Sequence, residues 1–104
     1  MDTKPVKRGL PPMHPGELLR EDVIPALGRS KAEIARLLGI SRQTLYDILA
    51  EKQPVTPGMA LRLGKLLGNG PTLWLNLQRR YDLWQAEREL KREIEAMPTL
   101  AAIK

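Results

Sequence analysis

The chain has 104 residues, with seventeen Lys and Arg against twelve Asp and Glu, a formal balance of +5. That length supports one domain and one core, and the basic excess points first to a polyanionic partner. With no cysteine, disulfide scaffolds, thiolate zinc sites, iron–sulfur clusters and cysteine nucleophiles are excluded.

Residues 1–12 combine Asp2, Lys4, Lys7 and Arg8 with three prolines, which reads as a flexible basic arm rather than an apolar signal core. Helical spacing of Leu18, Leu19, Val23 and Leu27 then predicts a first helix, which Pro25 should end or kink. Ser30 with Glu33 forms a capping-box pattern, in which the serine oxygen accepts the residue-33 amide and the glutamate reaches back to the Ser30 amide. The second helix carries Ile34, Ala35 and Leu38 and stops at Gly39, the residue suited to a left-handed close. Ser41 caps a third helix, Arg42 to about Ala50, with Leu45, Ile48 and Leu49 inward. Only Gly39 and Ile40 separate the two, so Ile40 is expected to be buried between steeply crossing helices, which is helix-turn-helix geometry.

Thr56-Pro57 opens a fourth helix that ends at Gly68 and is expected to cover the other three. After Asn69-Gly70-Pro71, the stretch from Thr72 to about Met97 lacks Gly and Pro and can run as one helix or two pieces. Leu73, Trp74, Leu77, Tyr81 and Trp84 read first as core. The narrow stripe Leu83, Ala86, Leu90, Ile94 and Met97 needs a partner surface, either the domain's own flank or a second chain. Met97-Pro98 closes the helix, and TLAAIK should fray. The predicted architecture is all-α: a five-helix domain over 13–84 and a C-terminal helical extension over 85–104.

No apolar run approaches the roughly 20 residues of a membrane span, so a cytoplasmic protein without a membrane partner is expected. His14 is the only histidine, and Ser30 and Ser41, the only serines, each stand where a helix begins. No catalytic residue, metal site or cofactor is assigned, and the chain is read as a non-enzyme.

Positive charge is concentrated. Arg29 to Lys65 holds seven bases and three acids, whereas Arg79 to Met97 holds five of each. One end is suited to phosphate and the other to protein. At the start of the third helix, Arg42 offers a fork for guanine, Gln43 a pair of bonds for adenine, Thr44 a methyl for thymine, and Asp47 an acceptor for cytosine. Phosphate contacts are assigned to Ser30, Lys31, Ser41 and Tyr46, with Lys52 and Arg62 looser candidates. Dimer contacts are assigned to the Leu90 and Ile94 stripe or to the region of Trp74 and Leu77.

Three motifs, His14-Pro15-Gly16-Glu17-Leu18-Leu19-Arg20-Glu21, Gly39-Ile40-Ser41-Arg42-Gln43-Thr44-Leu45-Tyr46-Asp47-Ile48-Leu49, and Leu73-Trp74-Leu75-Asn76-Leu77-Gln78 with Tyr81-Asp82-Leu83-Trp84, occur in order. Together they resemble the HigA/VapI family of antitoxins, a branch of the XRE (Cro/CI-like) helix-turn-helix proteins, over about residues 13 to 87. The resemblance implies a non-enzymatic, nucleoid-associated bacterial homodimer that binds a palindromic operator in its own promoter and sequesters a RelE-like HigB mRNA endonuclease. It places base contacts on Arg42 and Gln43, with Thr44 and Asp47 following. Two departures stand out: Gly70 replaces a capping Ser or Thr, and Lys52-Gln53-Pro54 replaces a Gly-rich basic turn. A free-standing repressor of the same fold is the alternative.

Overall fold

The computed structural model describes residues 11–100, and every regular element among them is a helix. The mobile arm and the frayed tail expected from sequence fall largely on residues 1–10 and 101–104, outside the described residues.

The first helix starts at His14, whose Nδ1 accepts the Gly16 amide at 2.8 Å, with Pro15 at the position where a missing N–H is harmless. Pro25 does not end this helix. From α1 (Pro15–Leu18) the backbone widens into a π turn (Leu19–Val23), where the Ile24 amide reaches the Leu19 carbonyl, and resumes as α2 (Ile24–Leu27). The wider turn relieves the clash and the lost donor that a proline imposes on α-helical backbone.

α3 (Lys31–Leu38) and α4 (Arg42–Leu49) are capped by Ser30 and Ser41, whose hydroxyl oxygens accept the Glu33 and Thr44 amides at 3.0 Å. Half of the capping box forms. The Glu33 carboxylate turns to Arg29, an opposite charge one helical turn away, instead of the Ser30 amide. Gly39 takes the left-handed conformation at φ 76°, and the Gly39 and Ile40 amides bond back to Arg36 and Ala35. Ile40 packs on the core but stays half-buried, because the short turn leaves one side open.

α5 (Pro57–Leu67) begins at the Thr56 cap and ends at left-handed Gly68. It lies against α3 and α6 (Thr72–Glu89), while α4 is seated on α1 and α3, so the cover is shared rather than supplied by α5 alone. Leu90 leaves helical geometry at φ −105°, ψ 13°, and α7 (Lys91–Ala96) follows until extended Met97, so the C-terminal stretch is two pieces.

Leu19, Ile34, Leu38, Leu45, Ile48, Leu63 and Trp74 form the core. Each such side chain contributes roughly 1.5–3 kcal/mol by leaving water. Trp74 is only 1% exposed, inside its own chain, so its indole is not available as the seam contact expected from sequence. The stripe on α6 and α7 remains open: Leu83 is 58%, Ile94 56% and Met97 62% exposed. The domain's own flank therefore does not cover it. Among the described residues no helix is long and apolar enough to cross a membrane.

Candidate nucleic-acid interface

α4 is apolar on one face and open on the other. Leu45, Ile48 and Leu49 enter the core, which turns Arg42, Gln43 and Tyr46 to solvent and leaves Thr44 and Asp47 half-buried. The residues assigned to base edges are thus together on the outer side of one capped helix, with Arg42 and Gln43 in its first turn. They are already partly tied. Ser41 donates to Thr44 Oγ1 at 2.9 Å, leaving the threonine methyl outward-capable, and Gln43 Nε2 donates to Asp47 Oδ1 at 2.8 Å.

The assigned phosphate contacts divide. Lys31 Nζ lies 5.9 Å from the centroid of the Tyr46 ring, so the N-terminus of α3 and the outer side of α4 form one surface with Ser30 and Ser41 at the helix starts. Helix N-termini present free amides and positive dipole ends to an anion. Lys52 is exposed at the other end of α4, beside Glu51 and Gln53. Arg62, exposed, folds back on α3: its Nη1 donates to the Leu38 carbonyl at 2.8 Å and sits where a side chain on Gly39 would go. Its guanidinium thereby ties the last turn of α3 with one of its donors.

Several residues hold α4 and the loop after it by contacts that the sequence alone does not assign. The Gly16 backbone lies so close to α4 that an added Cβ would stand 2.0 Å from the Ile48 carbonyl oxygen, which only glycine permits. Arg20 Nη1 donates to the Leu49 carbonyl at 2.6 Å and to Glu51 at 3.2 Å. Glu51 itself takes a left-handed φ of 63°, a conformation unfavourable for a side-chain-bearing residue, and turns the chain out of α4 where a Gly-rich turn was replaced. The buried Gln78 accepts the Val55 amide at 2.8 Å and donates to Asp82, holding the loop before α5. Only the residue types hinted at these roles, since Arg20 meets Leu49 and Glu51, and Gln78 meets Val55, across 23 to 31 positions.

His14 is 3% exposed and meets Tyr81 edge to face, with ring centroids 4.8 Å apart. Burial pushes its imidazole below the ordinary value, aided by Arg20 and opposed by Glu51, Asp82 and Glu17. The neutral ring, with Nδ1 free to accept, is the form that caps α1.

A capped helix, a short turn opened by left-handed Gly39 and a second capped helix with polar residues outward define a helix-turn-helix protein. The family model described as Helix-turn-helix matches residues 19–75. Virulence-associated protein I of Dichelobacter nodosus is 37% identical over 83 residues, spanning 80% of this chain and 77% of that one. A structure titled antitoxin GraA in complex with its operator is 42% identical with a TM-score of 0.82, covering 94% of this chain and all of the other. Pseudomonas aeruginosa antitoxin HigA with the higBA promoter is 34% identical with a TM-score of 0.80, covering 86% and 98%. The chain belongs to the XRE helix-turn-helix family, in its HigA/VapI-like antitoxin branch.

Proposed function

We propose that this chain is an antitoxin that acts in the bacterial cytoplasm, at the nucleoid, binding a palindromic operator as a homodimer and repressing its own operon. It neutralises a HigB-like, RelE-type mRNA endonuclease by direct contact and is not itself an enzyme. The observation that carries the reading is the outward first turn of α4, bearing Arg42 and Gln43, in a chain similar to antitoxins solved on operator DNA. In this reading Arg42, Gln43, Thr44 and Asp47 meet base edges, while Ser30, Lys31, Ser41, Tyr46 and Lys52 meet phosphates. Two α4 helices enter successive major grooves about 34 Å apart.

The test is to express the chain from its own locus with the flanking reading frames, purify it by a tag, and weigh what co-elutes. A stoichiometric small basic protein, together with tighter binding to the upstream DNA than to a scrambled duplex, is the expected result. Elution of the chain alone, with a flanking frame shown to be expressed, overturns the antitoxin half and leaves a free-standing repressor. Equal affinity for both duplexes overturns the operator half.

A further inference from the structure

Two exposed leucines belong neither to the outer side of α4 nor to the stripe on α6 and α7. Leu37, in the last turn of α3, is 45% exposed, and Leu61, in the middle of α5, is 62% exposed. Both line a groove between the two helices. Leu38 and Leu66 line it with them, Arg62 and Lys65 stand on its α5 side, and its volume is about 370 Å³. A second hollow of about 280 Å³ shares Leu37 and Leu66 and carries the groove on to Leu27 and Ile34, with Arg29 at its edge. The result is a continuous leucine-lined trough, open to solvent, of the kind that marks a contact surface on a small protein.

Charge selects the occupant. Among the described residues no Asp or Glu lines either hollow, whereas Arg29, Arg62 and Lys65 do. α5 carries no acid, and the one acid of α3, Glu33, is already bonded to Arg29 with Arg36 3.9 Å from the same oxygen. Arg62 gives one donor to the Leu38 carbonyl, and a guanidinium has others to offer. An apolar floor between cations matches a helix with leucines at three- and four-residue spacing and carboxylates beside them. Duplex DNA would satisfy the cations and leave the leucines in water. Lys31, the phosphate candidate on α3, stands six residues from Leu37, about 9 Å along the helix. A second copy of this chain is no better match, because its own exposed stripe lies in a stretch, Arg79 to Met97, with five bases and five acids.

We infer that the groove between α3 and α5 docks an acidic amphipathic helix of another protein, with its apolar stripe on Leu37, Leu61 and Leu66 and its carboxylates on Arg62 and Lys65. The groove shares no residue with the outer side of α4, so this partner and an operator do not compete for the same side chains. The inference rests on the groove alone and holds for a free-standing repressor as for an antitoxin.

The test titrates the full chain into a fluorescein-labelled synthetic helix of about 18 residues, with leucines at three- and four-residue spacing and glutamates beside them, and into a twin with lysines in place of the glutamates. The glutamate peptide should bind saturably, about tenfold tighter than its twin, and more weakly as salt is raised. Leu37→Glu and Leu61→Glu, both at exposed positions, should each lower its affinity about tenfold. Lys65→Glu should lower it about threefold and improve the lysine twin. Amide shifts of the isotope-labelled chain should be confined to α3 and the second half of α5, with operator affinity and sedimentation of these variants as in wild type. Equal affinity for the two peptides, no saturable binding, or shifts centred elsewhere overturns the docking site. A smaller particle for Leu37→Glu without peptide overturns it in favour of a second copy, and loss of operator affinity in Lys65→Glu overturns it in favour of phosphate.

Discussion

The outer side of α4 and the outer side of α6 are both open, and they are built in opposite ways. On α4 the side chains are polar and bond to one another, Gln43 to Asp47 and Ser41 to Thr44, so the face is satisfied in water. On α6 and α7 the open side is apolar, with Leu83, Ile94 and Met97 more than half exposed. Covering apolar surface gains about 25 cal/mol per Å², whereas exchanging one set of hydrogen bonds for another gains little net. A polar, self-satisfied face suits a partner that comes and goes. An apolar one suits a partner that stays. Under the reading proposed here, DNA is the first kind and the second copy of the chain is the second.

The comparison breaks most sharply at Gly16. Its backbone sits under the Ile48 carbonyl, so Gly16→Ala should destabilise the fold by about 3 kcal/mol through overpacking, read as a lower urea midpoint. Because the strain falls under α4, operator affinity should drop while the sedimentation of the folded fraction stays that of wild type. A loss of dimer without loss of operator binding would contradict the separation of the two faces.

Arg42→Ala acts on the polar face alone. It should cost about 1–3 kcal/mol on the operator and relax one base position, with scrambled DNA little affected. Equal losses on both duplexes in an anisotropy titration would remove Arg42 from base reading.

His14 joins the two regions, capping α1 beneath α4 while its ring meets Tyr81 on α6. Its folded-state pKa lies below the unfolded value, so the unfolded chain takes up the proton first as pH falls. Its contribution is fully present above about pH 6.5 and is lost as pH drops through that value toward the folded pKa. The urea midpoint should therefore fall between about pH 7.5 and pH 5.5, and His14→Asn, which can still cap, should flatten that fall. The smallest effect belongs to Lys31→Ala, which should weaken all duplexes alike and reduce the salt slope by about one unit. An unchanged slope would place Lys31 away from phosphate.

What was legible in the sequence was local. Ser30, Ser41 and Thr56 as caps, Gly39 and Gly68 as left-handed stops, and the inward faces of α3, α4 and α5 all depend on neighbours within about four residues. What was not legible depends on residues far apart in the chain. Arg62 reads as a surface base until α3 is packed beside it, and then one of its donors goes to the Leu38 carbonyl. Arg20 and Gln78 likewise find backbone partners more than twenty positions away. Pro25 was legible only as a point where the helix ends or is kinked: the proline disturbs the regular α turn but tolerates the wider one, and the pattern Leu18, Leu19, Val23, Leu27 does not distinguish them.

The bond between Gln43 and Asp47 has a consequence for how an operator can be spelled. Under the proposed reading the amide and the carboxylate, bonded to each other, act as one recognition unit: a base that takes this Gln43 donor must draw it away from the Asp47 oxygen. Neighbouring letters read by this unit then cannot be scored independently. In a randomised operator library the affinities at those two positions should deviate from additivity, and the deviation should vanish in Asp47→Ala, where Gln43 reads alone.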